Sequence, residues 1–257
     1  MPFPASPRVR FARNPLAEVV CQVKFPPVLR VDTEPPAAFQ ERIRRLFPEY
    51  RSSRPQLPLG MALPEDVVQM VFGGGAAVAH EFVAANGLAR VSLTRDFVAL
   101  SVQDYTTWEA FAEILAPALS ALVAVYAPPY LTRVGLRYRN QIDRAALGLE
   151  AVSWNELLVP AVAGELAAPE VAAHVKRVAT ELGIRMPDGA GHVRVVHGLD
   201  GDAGGVRYVI DADFYTEGQL PPGGINDVLV SFNRRAGHLF RWCLLPRLHA
   251  ALEPTPA

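Results

Sequence analysis

The chain of 257 residues is poor in lysine and carries almost no net charge. Lys24 and Lys176 are its two lysines, so arginine supplies nearly every other cation. The formal net charge at pH 7 is −1. A chain without excess charge has no overall field that attracts nucleic acid or an anionic membrane. We therefore expect neither of these partners.

The chain also has few cysteines and no long hydrophobic run. Cys21 and Cys243 stand among apolar neighbours, which favours buried reduced thiols over a disulfide or a nucleophile. The most apolar stretch, residues 114–127, contains Pro117 and is shorter than the ~20 residues that cross a bilayer. The first residues lack the apolar core of a signal peptide. These features predict a soluble, cytoplasmic protein.

The sequence contains no established motif for catalysis, cofactor binding or metal binding. Three glycines at residues 73–75 are not followed by the Gly-Lys-Ser/Thr of a phosphate loop. The six histidines show no spacing typical of metal ligands, and we expect His192 and His197 at surface or edge positions. We predict no metal and no cofactor.

The most informative segment is residues 130–142, in the middle of the chain. Read with period 2, one of its faces carries Arg133, Arg137 and Arg139, with a gap at Gly135. The other face carries Val134, Leu136, Tyr138 and Ile142. This pattern predicts a strand with one side in a core and the other lined by guanidinium groups. Arginine is well suited to planar, bidentate capture of carboxylate or phosphate.

Hydrophobic periodicity predicts two similar series of elements along the chain. The first series consists of a strand at 18–31, a helix at 36–47, a loop at 51–64, strands at 67–72, 78–84, 88–94 and 97–103, and a helix at 107–126. The second series consists of a strand at 130–143, a helical segment at 153–166, strands at 171–182, 192–199 and 206–215 joined by turns at 187–191 and 198–205, and a helix at 225–252.

This order predicts an α+β fold, an antiparallel sheet with its helices on one face. We divide the chain into a loose N-terminal arm at 1–13 and two β-α-β(n)-α halves at 14–128 and 129–257, packed as one compact unit. The halves are compatible with an internal duplication that forms a curved sheet, although their low identity leaves an unrepeated sheet open. In element order the chain resembles the saddle of the TATA-box-binding protein, or more loosely a helix-grip fold, and this analogy carries no function.

The arginine face defines the candidate ligand-binding site. If the halves are related by a pseudo-twofold axis, the first strands of the two halves become neighbours in the sheet. The candidate residues are then Arg133, Arg137, Arg139, Lys24, Glu18, Asp211 and Asp213. The alternative is that the arginines only pair with the acids across strands, with roughly 0.2–1 kcal/mol for each pair.

Two classes of function fit this face. The first is a non-enzymatic binding protein that holds a protein segment or an anionic ligand, with the arginines as donors, Lys24 assisting and Glu18 orienting them. The second is an enzyme acting on an anionic small molecule, in which Asp211 or Asp213 provides acid–base chemistry and the arginines form a clamp. A closed cavity would favour the enzyme, and an open surface would favour binding. The sequence leaves open whether the protein forms a homo-oligomer.

Several segments resemble a family of bacterial proteins of about this length that is sporadically distributed and has no assigned activity. The resemblance is carried by the start NPLAEVVCQVKFPPVL at residues 14–29 and by the strand RVGLRYRNQI at 133–142. The segments LFPEY at 46–50, DYTTWEAF at 104–111 and FRWCL at 240–244 extend it over the chain. The resemblance implies no catalytic residues. The patchy distribution of the family implies an accessory or defence-linked role.

Overall fold

The predicted α+β class is confirmed. A computed structural model describes residues 2–53, 78–187, 189–202 and 205–256. The predicted strand at 67–72, the glycine turn at 73–75 and most of the predicted loop at 51–64 lie outside the described residues. Within them, nine strands form one antiparallel sheet and two short strands form another.

The sheets and helices have the following bounds. The strands are β1 (Val9–Phe11), β2 (Leu16–Lys24), β3 (Glu49–Ser53), β4 (Ala79–Val83), β5 (Ala89–Leu93), β6 (Phe97–Val102), β7 (Leu131–Asp143), β8 (Val178–Arg185), β9 (His192–Asp202), β10 (Gly205–Leu220) and β11 (Pro254–Pro256). The α-helices are α1 (Arg30–Thr33), α2 (Ala37–Ile43), α3 (Trp108–Tyr126), α4 (Pro160–Ala163), α5 (Pro169–Ala172), α6 (Ile225–Cys243) and α7 (Pro246–Ala251). The order of the large sheet is β3-β4-β5-β6-β2-β7-β10-β9-β8.

The strand order explains how the arginine strand is positioned. β7, which carries the arginines, has β2 and β10 as its hydrogen-bonded neighbours. The expectation that the first strands of the two halves are neighbours is therefore confirmed. In each half, the last strand of the meander lies beside the strand that opens the half.

The chain divides into two compact units. Unit 1 comprises Met1–Val19, Leu136–Tyr215 and Val228–Ala257, and unit 2 comprises Val20–Gly135 and Thr216–Asp227. The boundary falls inside β2, β7 and β10, so these three strands contribute residues to both units.

In unit 2, the long helix α3 begins where the sequence predicts. The Thr107 hydroxyl caps it by accepting a hydrogen bond from the backbone N–H of Ala110 at 3.2 Å. The helix contacts α2 and β6, and the ring of Phe39 on α2 lies 5.4 Å from the ring of Phe82 on β4. The side chains that α3 buries are Trp108, Phe111, Leu115, Ala118, Ala121 and Leu122.

Helix α3 is the one helix, among the described residues, that is long and apolar enough to cross a membrane. It has 19 residues, whereas the sequence suggested a shorter apolar run. Length and composition are weak grounds for a spanning helix, because the core helix of a soluble protein meets the same criteria.

In unit 1, helix α6 packs on the apolar face of the sheet. The ring of Phe232 lies 6.2 Å from that of Phe214 on β10. The Tyr138 hydroxyl on β7 donates a hydrogen bond to the Asn233 side chain at 2.9 Å. Tyr138 projects from the face of β7 opposite the arginines, so α6 covers the apolar face and leaves the arginine face uncovered by this helix.

The N-terminal segment is packed and not loose, contrary to expectation. Strand β1 pairs with β11, with Arg10 opposite Thr255. Phe3 is buried, and its ring lies 5.3 Å from that of Trp242. The predicted arm was wrong because its aromatic residues find apolar partners that lie more than 200 positions away in the chain.

Two predicted elements of the second half are wrong. The helical segment at 153–166 is broken into short pieces, since Pro160 starts a new helix and Gly164 adopts a positive φ of 51°. The strand predicted at 171–182 begins only at Val178, because Pro169 initiates the short helix α5 over its first residues.

Two predicted boundaries in the second half also differ from the structure. The predicted turn at 198–205 is strand as far as Asp202. Gly198 is a glycine because β8 approaches its backbone closely, and not because the chain turns there. The last helix ends at Cys243 and a separate helix starts at Pro246. Proline excludes the helical conformation from the residue before it, and Leu245 is extended (φ −82°, ψ 161°).

Replacing Gly198 by alanine should destabilise the fold. The added Cβ would lie 2.7 Å from the Val178 carbonyl carbon and 2.9 Å from the Cα of Ala179, both backbone atoms. We expect a loss of about 1–3 kcal/mol in the free energy of unfolding, measured by urea denaturation.

Gly183→Ala on β8 is the matched control, since nothing lies within 4 Å of its added Cβ. We expect this change to be neutral or slightly stabilising. Equal losses at the two positions would contradict a role for the close approach at Gly198.

Candidate functional site

Strand β7 presents its side chains on the two faces that the sequence predicts. Val134, Leu136 and Tyr138 are buried. Arg133, Arg137 and Arg139 are half-buried on the opposite face. The three arginines share this face but differ in their partners. Arg133 belongs to unit 2, whereas Arg137 and Arg139 belong to unit 1.

Arg137 is bound to Asp211 of β10 by a bidentate ion pair. Its Nε donates to one carboxylate oxygen at 2.7 Å, and its Nη2 donates to the other. The two side chains are 13% and 16% exposed. Two parallel charge-assisted hydrogen bonds fix the distance between the guanidinium and the carboxylate and keep the two groups in one plane. For Arg137, the expected alternative of cross-strand ion pairing is therefore observed.

The charges around Arg137 outweigh the effect of its burial. Burial by itself would lower the pKa of Arg137. The hydrogen bonds and charge of Asp211, together with the charges of Glu18 and Asp213, raise this pKa above its ordinary value. Arg137 therefore stays charged, and Glu18 and Asp213 act on it electrostatically.

Arg133 and Arg139 donate to neutral amides. Arg133 Nη1 donates to Oε1 of Gln22 at 3.1 Å, and Gln22 itself is buried. The Arg133 guanidinium also fills the gap at Gly135, where an added Cβ would collide with it. With the Gln141 amide assigned so that its oxygen faces the guanidinium, Arg139 donates to that oxygen from Nη1 at 2.7 Å and from Nη2 at 2.9 Å. The Gln141 amide does not neutralise the charge of Arg139.

The acids on β10 belong to a longer row of charged side chains of both signs. Asp213 is only 6% exposed and lies opposite Arg194 of β9 in the strand register. Arg194 makes its own bidentate pair with Glu181 of β8, at 2.7 and 2.9 Å. The charge row of unit 1 thus comprises Arg137, Asp211, Asp213, Arg194 and Glu181. The sequence prediction missed Arg194 and Glu181, because their alignment depends on the registers of β8, β9 and β10.

Lys24 is half-buried at the end of β2 in unit 2. Glu18, also half-buried, lies in the part of β2 that belongs to unit 1. Of the predicted site residues, Glu18, Arg137, Arg139, Asp211 and Asp213 therefore belong to unit 1. Arg133 and Lys24 belong to unit 2.

Both cysteines are free and buried, as expected. Burial raises the pKa of the Cys21 thiol to about 12, although the nearby charge of Arg133 lowers it in part. Burial likewise raises the pKa of Cys243 to about 12. A thiol of this pKa carries almost no thiolate at neutral pH, so neither cysteine is equipped as a nucleophile.

His80 is buried, which composition did not indicate. Its Nε2 lies 2.9 Å from the Val31 carbonyl oxygen, so Nε2 carries the proton and donates. Its Nδ1 then accepts from the Tyr50 hydroxyl at 2.9 Å. Both ring nitrogens are satisfied, and this histidine anchors α1 to β4.

His197 is buried as well, so its expected surface or edge position was wrong. The Tyr208 hydroxyl donates its hydrogen to the Val162 carbonyl at 2.6 Å. His197 Nδ1, at 2.8 Å from the same hydroxyl, must then be the donor in that contact. Its Nε2 is left as a buried acceptor without a partner among the described residues.

Burial lowers the pKa of His197 below its ordinary value of 6.5, although the charge of Glu165 raises it in part. The imidazole is therefore neutral at physiological pH. Its partner Tyr208 lies on the neighbouring strand, and Tyr208 in turn binds the distant Val162 carbonyl, so no local spacing in the sequence marks His197.

Comparison of the chain with protein-family models, with curated proteins and with solved structures found no match. In the described part of the chain, no three His, Cys, Asp or Glu side chains are grouped so as to hold a metal ion.

Breaking the Arg137–Asp211 pair should destabilise the protein. Arg137→Met or Asp211→Asn alone leaves a partly desolvated charge or polar group without its partner. We expect each to lower the free energy of unfolding by about 2–4 kcal/mol, less than for a fully buried pair. Urea denaturation of both single variants and the double variant gives the coupling energy, which we expect to exceed 1 kcal/mol.

The surface pair of Arg44 and Glu41 provides the control cycle. Its nitrogen–oxygen distance is 2.9 Å, but the two side chains are 62% and 63% exposed. Exposed pairs are weakened by solvent screening, so we expect a coupling below about 1 kcal/mol for Arg44→Met and Glu41→Gln. A coupling at Arg137 no larger than this value would refute its structural role.

His197 should make the stability depend on pH. Its pKa is lower in the folded than in the unfolded state, so unfolding takes up a proton in this range. The stabilising contribution is full above the unfolded pKa of 6.5 and is lost as pH falls. We expect His197→Asn, which keeps a neutral donor near Nδ1, to reduce the decline in unfolding free energy between about pH 7.5 and pH 5, where one proton accounts for up to ~1.4 kcal/mol per pH unit.

The exposed His174 is the matched position for this experiment. His174→Asn removes an imidazole from an exposed position and so measures the effect of the substitution itself on stability. If His197→Asn follows the wild-type profile, the buried neutral imidazole does not control acid stability.

Proposed function

We propose that the protein is a non-enzymatic binding protein of the cytoplasm. It recognises a carboxylate- or phosphate-bearing partner, either a protein segment or a small anionic ligand, on the arginine face of unit 1. Arg139 is the principal contact, and the Arg137–Asp211 pair holds the surface around it. An accessory or defence-linked role rests on the family resemblance alone.

The observation that supports this proposal is the difference between Arg139 and Arg137. Arg137 is neutralised by a bonded carboxylate, whereas Arg139 is bonded to a neutral amide. Among the described residues, no acid lies within ion-pair distance of Arg139. Its guanidinium is half-exposed and already oriented by Gln141. An oriented donor loses less side-chain entropy when it captures an anion.

The charge row gives this surface its selectivity. Over β10, the charge of Arg137 is already used by Asp211, so an anion gains little there, while Arg139 attracts an anion placed over its own part of β7. An incoming carboxylate is thereby directed to the Arg139 side of the face, because complementary charge fixes where a partner binds.

The alternative is an enzyme in which Asp211 or Asp213 is the acid–base group. The geometry favours it less. Both oxygens of Asp211 accept hydrogen bonds from Arg137, so while the pair is intact they are occupied and not directed at a substrate. Asp213 is nearly inaccessible at 6% exposed, whereas a general base must reach the proton that it abstracts.

Arg139→Gln should weaken the binding of anionic probes. Hexaglutamate and inorganic phosphate, each titrated in isothermal calorimetry and in thermal unfolding, separate a peptide carboxylate from a phosphate ligand. We expect the better probe to stabilise the wild-type protein. We expect the variant to bind it about tenfold more weakly, or 1.4 kcal/mol, because its amide carries no charge.

Arg177→Gln is the matched control. Arg177 is exposed and lies in unit 1. Its replacement by glutamine changes the net charge by the same amount as Arg139→Gln. Binding should survive this substitution. If neither probe binds the wild-type protein, or if the two variants weaken binding equally, the arginine face is not an anion-binding site.

A further inference from the structure

The near-zero net charge of the chain conceals a strong segregation of charge. Residues 1–17 and 228–257 contain seven arginines and a single carboxylate, that of Glu253. The remaining 18 cationic side chains face 25 acidic ones. The two ends of the sequence are therefore strongly basic, and the middle of the chain is acidic.

The fold brings these two basic segments together within unit 1. Strand β1 pairs with β11, and the ring of Phe11 lies 5.7 Å from those of Phe240 and His249. Arg241 Nη1 on α6 donates to the Pro7 carbonyl at 3.0 Å. The single carboxylate of the two segments is already paired, because Glu253 lies 2.9 Å from Arg13.

Helix α6 carries a basic stripe along one face. Arg234, His238 and Arg241 follow the i, i+4, i+7 spacing, which places them on one side of the helix over roughly 10 Å. Arg234 is exposed, and its side chain has no hydrogen-bond or ion-pair partner among the described residues. We call these three residues the α6 stripe.

Three arginines act on His238 electrostatically. Burial lowers the pKa of His238, and the charges of Arg234, Arg235 and Arg241 lower it further. No carboxylate contributes in the opposite direction. Burial lowers the pKa of His249, and the charge of Arg241 lowers it further.

The same region exposes few apolar groups that could anchor a protein partner. Its aromatic residues are packed on one another, as Phe3 on Trp242 and Phe11 on Phe240. Of the large hydrophobic side chains that are well exposed in the described residues, only Val230 belongs to these segments. Protein interfaces have an apolar centre, whereas nucleic-acid interfaces are more polar and far more positive.

We propose that the α6 stripe is a binding surface for the phosphate backbone of a nucleic acid. The stripe is longer than a single small anion. A ligand that carries a series of negative charges can therefore contact it along its whole length. The contacts are to phosphates and not to bases, and binding is therefore independent of sequence and strongly dependent on salt. This inference does not depend on the arginine face.

Fluorescence anisotropy with a labelled random-sequence single strand of about 20 nucleotides, and with its duplex, tests the proposal. We expect both to bind the wild-type protein, with an affinity that falls steeply between about 50 mM and 200 mM salt. Arg234→Gln/Arg241→Gln should bind about tenfold or more weakly. It should also reduce the slope of log K against log salt by about 1.8 for the duplex and 1.4 for the single strand.

Arg42→Gln/Arg45→Gln is the matched control, since both residues are exposed and the change in net charge is the same. It should bind nearly as the wild-type protein does. Arg234→Gln alone, which leaves the Arg241–Pro7 contact intact, should reproduce about half of the change in slope.

Three outcomes would overturn the proposal. The first is wild-type protein that does not bind either oligonucleotide at the lower salt concentration. The second is an equal loss of affinity in the stripe variants and the Arg42/Arg45 control, which would indicate an effect of net charge alone. The third is polyglutamate competing as well as unlabelled oligonucleotide at equal charge concentration, which would assign the stripe to an acidic protein segment.

Discussion

The bidentate ion pair between Arg137 and Asp211 is the interaction on which the arginine face of unit 1 depends. It joins β7 to β10 with two parallel hydrogen bonds. Side chains alternate between the faces of a strand, so the pair also ensures that Tyr138 and Phe214 point towards α6. Removing water from both charged groups is unfavourable, and only good geometry offsets that loss.

Arg137 and Arg139 look equivalent in the sequence, but the structure distinguishes them by the charge of their partners. Arg137 meets a carboxylate, whereas Arg139 meets the amide of Gln141. An arginine that is neutralised by an acid supports the sheet, whereas an amide leaves the charge of Arg139 uncompensated. The same distinction separates Arg234, which is exposed without a partner, from Arg13, which is paired with Glu253.

Much of the fold could be predicted because local signals and tertiary contacts agree there. Alternation defines β7, and Thr107 caps α3 at the expected residue. The errors occur where a distant contact overrides the local signal. The sequence predicts a turn at Gly198, but in the structure this glycine allows β8 to lie close to its backbone. The sequence also predicts a loose end at Phe3, which in the structure packs on Trp242. Of the site, the sequence indicated the arginine face and named Asp211 among the acids that could pair with it, but not which arginine Asp211 binds, since Arg137 and Asp211 are 74 positions apart.

The sequence by itself determined the class of fold, the two faces of β7 and the identity of the arginines, because these follow from alternation and composition within short stretches. Tertiary structure alone decided which arginine is neutralised, that His80 and His197 are buried, and that the basic ends of the chain meet beside α6. The physical reason is that burial and pairing are set by the registers of strands and by contacts between distant segments, which a local pattern does not encode.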